Sequence, residues 1–286
     1  MARVAPYRSF TQGTIFSCGR AEAYVGTEVH GIVVTARCDA AHGKANIINY
    51  VPVVPFTDWG CVDGFRIVAK RAAGDALGQM KSALRDAGMA HEILETQTAE
   101  DLIEELQKSS EKGAGKIADR FSNAVAARSR AEAALMAEPT VGAAAPFLAA
   151  NSRLCGTLVR ELLGHGLAEF HYLESIDEEE DCDGYVIMLR EIRFLPAIIV
   201  EPLSNGMGRD EFEMLIPNLL AREAIQLSFE GQDPYAMPIS TVQSPDIELI
   251  VQRLTQLFAR VGVRDVEQGR ISRLQSALAR MGEDGE

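Results

Sequence analysis

Two polar residues near the amino terminus follow directly on apolar segments and have side chains suited to phosphoryl chemistry. Arg37 comes after the apolar run Ile32–Thr35, and Thr57 comes after Val53–Phe56. Neighbouring strand ends can bring an arginine and a hydroxyl onto one rim, where the arginine could stabilise charge developing on a phosphoryl group. The plainer alternative is a rim salt bridge from Arg37 to Asp39 or Asp58, with Thr57 in a turn.

A second polar cluster, Cys38, Asp39 and His42, lies close by in the sequence. Cys38 could act as a nucleophile beside His30 or His42, because a nearby imidazolium lowers the pKa of a thiol. The same residues could converge on a metal, but their spacing matches no common zinc pattern. A buried, inert thiol is the usual fate of such a cysteine. We predict no metal site and no cofactor.

The elements that must position these residues are short strands. Strands are predicted at residues 13–16, 31–35, 50–56, 168–173, 185–189 and 197–200. Pro52 and Pro55 restrict the third segment to a sheet edge or to strand ends, because proline donates no ladder hydrogen bond.

Helix-forming residues dominate the middle and the end of the chain. Helices are predicted at residues 70–87, 98–108, 116–138, 146–163, 245–261 and 266–281. Thr98 is a suitable N-cap and Gly88 a suitable terminator. Pro146 suits the first turn of its helix. The segment 245–261 has apolar residues at three- and four-residue spacing, which is the clearest amphipathic pattern in the chain.

Composition limits the classes of function. The chain has 286 residues and a formal net charge of −13. This acidic balance argues against broad nonspecific nucleic-acid binding, which depends on lysine and arginine. The five cysteines include no CxxC pair, so reduced thiols are expected. No signal peptide or membrane-spanning segment is evident, and we expect a soluble, cytoplasmic protein.

The order of the β-segments is similar to that of the PemK/MazF-like toxins. In that family a Gly-Asp-Ile strand precedes an Arg-Pro-hydrophobic strand and a strand with a Pro-Ile-Thr-like turn. The corresponding segments are Gln12–Phe16, His30–Thr35 and Tyr50–Thr57, and Tyr185–Leu195 resembles the family's closing strand. The resemblance implies an SH3-like β-barrel. In active members it implies a metal-independent endoribonuclease built on an arginine and a serine or threonine.

The resemblance also assigns roles to individual residues. Thr57 fits the family's hydroxyl position, whereas His30 stands where the family has its arginine and Thr14 where it has its aspartate. His30 could serve there as an acid or a base. The candidate catalytic set is therefore His30, Arg37 and Thr57.

We expect an α+β protein with a small antiparallel barrel that is split in sequence. The barrel would comprise residues 1–69 and 168–203, with a helical insertion at 70–167 and a mostly helical segment at 204–286. The first functional hypothesis is a binding or regulatory component of a bacterial conflict system, such as toxin–antitoxin or phage defence. The barrel would be non-catalytic and the insertion would dock a partner protein.

Alternatives remain open at this point. The second hypothesis is a divergent endoribonuclease that acts on RNA through His30, Arg37 and Thr57. The third is a thiol- or metal-dependent hydrolase around Cys38. A homo-oligomer is also compatible with the sequence, whereas no contact with a membrane is expected.

Overall fold

A computed structural model gives the architecture of most of the chain. It describes residues 4–6, 10–37, 46–108, 113–177, 182–218, 226–229 and 234–259. The fold is α+β, as expected, and is built on a curled antiparallel sheet that forms a half-barrel.

The strands come from three separated parts of the chain. They are β1 (Val4–Pro6), β2 (Thr14–Phe16), β3 (His30–Val33), β4 (Ile47–Pro55), β5 (Phe170–Leu173), β6 (Tyr185–Met188), β7 (Arg193–Pro196), β8 (Met207–Gly208), β9 (Tyr235–Ala236) and β10 (Pro238–Val242). The main sheet has the order β1-β10-β2-β3-β4-β6-β5, with β7 also paired to β4, while β8 and β9 form a separate pair.

Six of the nine described α-helices, α1 to α6, lie between β4 and β5. The α-helices are α1 (Phe56–Trp59), α2 (Phe65–Asp86), α3 (Ala99–Lys108), α4 (Ala114–Met136), α5 (Val141–Ala150), α6 (Ser152–Leu163), α7 (Ala197–Ser204), α8 (Arg209–Leu215) and α9 (Asp246–Ala259). A π-helical turn, Gly60–Gly64, joins α1 to α2 without a break. Within the described residues, no helix has both the length and the apolar character that crossing a membrane requires.

Local signals set several helix ends as predicted. The amide of Asp101 donates to Thr98 Oγ1 at 3.2 Å, so Thr98 caps α3. Gly88, just beyond α2, has a φ of 72°, a conformation that glycine adopts without steric cost. The helix predicted at 266–281 lies outside the described residues.

The expected edge position of the third strand is wrong, because β4 lies inside the sheet. Pro52 pairs with Gly31 of β3. On the other side of β4, β7 pairs with Ile47–Tyr50 and β6 with Val53–Pro55. Pro52 therefore lies between the part of β4 that pairs with β7 and the part that pairs with β6. Its missing N–H removes no ladder hydrogen bond on that side.

Two further expectations are corrected. Pro146 lies inside α5, which begins earlier because the amide of Ala143 donates to the hydroxyl of Thr140, the N-cap. Residues 197–200 belong to α7 rather than to a strand. In α7, Ile199 and Leu203 are one helical turn apart and both are buried, so helical packing outweighs the strand preference of the β-branched residues.

Both faces of the sheet are covered. The inner face carries Ile15, Ile32, Val51, Val53 and Ile187 and packs against Ile247, Ile250 and Leu254 of α9. The outer face is covered at one end by α7 and α8, and at the other by α1, α2 and α6. The carboxy-terminal half of α2 forms a separate hydrophobic core with α3 and α4 around Phe121.

A hydrogen bond links the two ends of the curled sheet, which remain unpaired as strands in the part of the chain that the structure describes. The hydroxyl of Ser240, on β10, donates to the carbonyl of Ile176 at 2.5 Å. Ile176 follows β5, so the two ends of the curl approach each other. Residues 204–286, expected to be mostly helical, thus contribute the strand β10 as well as the helix α9.

Candidate functional site

The structure separates the predicted rim residues. The amide of Val34 donates to the carbonyl of Asn49, so Arg37 lies beyond the amino-terminal half of β4. Thr57 is exposed in α1, just past the other end of β4. At about 3.3 Å per residue, β4 spans roughly 20 Å from Asn49 to Pro55. Because β3 and β4 are antiparallel, the end of each strand lies beside the start of the other. The expected shared rim does not form.

The neighbours of Arg37 also differ from those expected. Its guanidinium lies 4.0 Å from the carboxylate of Glu248 on α9, and both side chains are more than half exposed. Asp39, one of the two expected partners, lies with Cys38 and His42 outside the described residues. Among the residues that are described, no three histidine, cysteine or acidic side chains cluster as metal ligands would.

His30 is held in the inner core rather than on an accessible surface. It is 1% exposed, and its ring meets the Tyr185 ring edge to face at 5.7 Å. Its Nδ1 is buried and has no hydrogen-bond partner among the described residues. Burial lowers the pKa of His30 to about 4, so the imidazole is neutral at pH 7. Glu28 lies 3.4 Å from Nε2 but is 40% exposed, so solvent screens its opposing effect.

A buried charged cluster that sequence reasoning missed lies on the outer face. Asp63 is 5% exposed and accepts a 2.6 Å hydrogen bond from the Tyr24 hydroxyl. Nη2 of Arg190 donates to both carboxylate oxygens, at 2.7 and 2.9 Å. Burial, followed by the adjacent Asp63 charge, raises the pKa of Tyr24, which stays protonated. The guanidinium lies 5.0 Å from the centre of the Phe170 ring, a cation–π contact.

Irregular backbone positions this Asp63–Tyr24–Arg190 cluster. Asp63 lies in the π-helical turn, and Arg190 lies in residues 189–192, which bulge out between β6 and β7 opposite Pro52. Such turns and bulges recur at functional sites. Here every charged group is already bound internally, so the cluster joins a loop, a helix and a strand. The only hint in the sequence is an acidic residue within an otherwise apolar helical face.

An open groove lies among the helices between β4 and β5. It has a volume of about 710 Å³ and runs between α2, α4, α5 and the start of α6. Alanine is the commonest lining residue, as at Ala76, Ala127, Ala134 and Ala143, and Phe147 also contributes to the lining. Polar residues at the groove include Arg130, which is exposed, and Asp75 and Arg153, which form a 2.7 Å ion pair.

Exposed apolar residues adjoin this alanine-lined groove. Met136 and Val141, at the turn between α4 and α5, are 88% and 66% exposed. They are close in sequence to the lining residues Ala137 and Ala143. The end of α4 and the start of α5 therefore both expose an apolar side chain close in sequence to the groove lining.

Comparisons of the chain with protein-family models, curated proteins and solved structures found no match. The described polar clusters are buried or internally bound, whereas the alanine-lined groove is open.

Proposed function

We propose that the protein is a binding component whose helical insertion docks a partner protein. The observation that carries this proposal is the open alanine-lined groove between α2, α4, α5 and α6. Pockets that bind partners are concave and mainly apolar, with few polar groups that fix orientation. Arg130, Asp75 and Arg153 are suitable orienting groups at this groove.

The groove fits the apolar face of an amphipathic helix. Alanine side chains let a partner backbone approach closely, and a helix laid in a groove is a recurrent mode of recognition. Arg130 has no ion-pair partner among the described residues. An acidic residue on the docked helix would complement its charge.

The resemblance to PemK/MazF-like toxins supports a narrower version of the proposal. On that basis the sheet is a non-catalytic SH3-like barrel, and the protein belongs to a bacterial toxin–antitoxin or phage-defence system. The separation of Arg37 from Thr57 and the burial of His30 leave the endoribonuclease alternative without a convergent catalytic set.

Matched arginine substitutions test the docking site. Ala133→Arg and Ala150→Arg place a long cation at exposed lining positions of α4 and α5. Ala126→Arg and Ala145→Arg make the same change on exposed positions of the same helices outside the lining. Each protein encoded beside this gene is co-expressed with the wild type, and complexes are measured by size exclusion with light scattering.

We expect a complex that survives the two control substitutions and loses more than about tenfold in affinity with either groove substitution. Equal binding by groove and control variants would contradict docking in the groove. Cleavage of RNA by the wild type in the presence of EDTA, lost on Thr57→Ala, would instead favour the endoribonuclease.

A further inference from the structure

A cluster of two histidines and one arginine attaches α9 to the edge of the sheet. Arg253 of α9 is 9% exposed, and its Nη1 lies 2.8 Å from His171 Nδ1 and 3.1 Å from His165 Nδ1. Its Nη2 donates to the carbonyls of Leu167 and His165, at 2.8 and 3.3 Å. The cluster therefore joins α9, β5 and the loop between α6 and β5.

The chemistry of these contacts fixes the protonation of both rings. A guanidinium can only donate hydrogen bonds, so each Nδ1 that faces Arg253 must offer a lone pair. Both imidazoles are then neutral and carry their proton on Nε2. Protonation of either Nδ1 would set two N–H donors against each other and add a positive charge beside Arg253.

Ring packing adds to this conflict. The rings of His165 and His171 are stacked, with centroids 4.9 Å apart and planes 7° apart. Two imidazolium rings at this separation would repel each other as well as Arg253.

No described acidic side chain compensates the cluster. Glu161 of α6 is paired with Arg71, Glu169 contacts Arg190, and Glu248 of α9 is bonded to Ser244. His30 lies in the same row of the sheet as His171, but Val53 and Ile187 stand between them.

We propose that the His165–His171–Arg253 cluster is a proton-sensitive attachment that releases the end of α9, Arg253–Ala259, at mildly acidic pH. Release uncovers Leu254 and Leu257, which pack on the inner face of the sheet. Ile247 and Ile250 keep the first half of α9 in place, so the opening is local.

The direction of the pH effect follows from burial and charge. Burial, followed by the charge of Arg253, lowers the pKa of both histidines, to about 3 for His171. A lowered pKa in the folded state means that the attachment is complete above the ordinary histidine pKa near 6.5. It weakens as pH falls below that value. His165 is exposed and takes up the first proton.

Hydrogen–deuterium exchange tests the release. Amides of residues 253–259 are compared at pH 7.5 and 5.5 after correction for intrinsic exchange rates. We expect protection to fall about tenfold at pH 5.5, which is the effect of one histidine whose pKa is about 3 in the attached state and near 6.5 after release. Unchanged protection of these amides would overturn the proposal.

A double variant separates this effect from general acid sensitivity. His165→Asn/His171→Asn keeps an acceptor at each position and removes the titration, and asparagine tolerates the φ of 61° at position 165. We expect pH-independent protection in this variant, whereas His91→Asn, on an exposed histidine, leaves the wild-type response intact. A pH response that persists in the double variant would overturn the proposal.

Nitrogen-15 shifts of the wild-type imidazoles give a test that needs no variant. Both rings should be neutral Nε2–H tautomers at pH 7.5, with pKa values below 6.5. An Nδ1–H tautomer at either residue, or a pKa at or above 6.5, would contradict the geometry on which the release depends.

Discussion

At the scale of single residues, the buried side chains of Asp63 and His30 differ in their hydrogen-bond partners. Tyr24 and Arg190 donate hydrogen bonds to the carboxylate oxygens of Asp63. His30 has no such charged donor, and burial leaves its ring neutral at pH 7. Each group gives a different prediction.

Replacing Asp63 by asparagine should destabilise the fold. The amide would present a donor to Tyr24 or Arg190, and the guanidinium would lose its counter-charge. We expect a loss of about 2–3 kcal/mol, since Arg190 is 35% exposed and water offsets part of the cost. Urea unfolding measures the change. Glu169→Gln, at the exposed end of the same network, should change the unfolding free energy by less than about 1 kcal/mol, and equal effects would refute this account.

His30 should make stability depend on pH. Its folded pKa is lowered, so its contribution is fully present above pH 6.5 and is lost as pH falls toward 4. Between pH 7 and 5 this loss is about 2 kcal/mol. His30→Leu removes this dependence, so the unfolding free energy of the wild type should fall by about 2 kcal/mol relative to that of the variant between pH 7 and 5. Parallel stability curves for the two proteins would show that His30 does not titrate in this way.

At the scale of elements, close packing between strands depends on one glycine. Gly31 of β3 lies against the rings of Phe16 on β2 and Tyr50 on β4, which meet edge to face at 5.0 Å. A Cβ at this position would come within 2.7 Å of the Tyr50 ring. A glycine is thus required here by the space between two aromatic rings rather than by a turn.

The same substitution should therefore have opposite effects at two glycines. Gly31→Ala should cost about 1–3 kcal/mol, because both rings must shift. Gly78→Ala should stabilise α2 by about 1 kcal/mol, since position 78 is exposed, helical and open. Chemical unfolding of both variants checks the signs. Stabilisation by Gly31→Ala would mean that the rings do not pack as described.

At the scale of the whole molecule, the inner face of the sheet is covered by a helix that comes late in the chain, α9. Ile15, Ile32 and Val53 precede the helices between β4 and β5, whereas Ile250 of α9 follows them. The strand β10 also comes late in the chain, and it pairs with β1 and β2, which come early. Folding of the sheet therefore requires both ends of the described chain.

Adjacent residues of α9 offer a test of this closure. Ile250 is fully buried and Leu249 is 37% exposed. Ile250→Ala should lower the unfolding free energy by about 2–5 kcal/mol, whereas Leu249→Ala should have a much smaller effect. Thermal and urea unfolding measure both. Similar small effects would show that α9 does not cover the core.

Sequence reasoning located most elements because their signals are local. The β-branched runs around Ile32 and Val53 predict strands, and the Thr98 cap and the spacing after Pro245 predict helices. These signals act over a few residues, and the structure confirms them. They fail where tertiary packing competes, as at 197–200, where burial of Ile199 and Leu203 on one side favours a helix.

The sequence by itself determined the positions of the longer helices and of strands β2 to β6, and that the chain has enough apolar surface for a core. Only the tertiary structure decided which strands are neighbours, and hence that Pro52 is central and that Arg37 is far from Thr57. It also decided that Asp63 meets Arg190 and that Arg253 meets two histidines. The physical reason is that propensity and periodicity are short-range, whereas pairing is selected by burying apolar faces and satisfying charges across the entire chain.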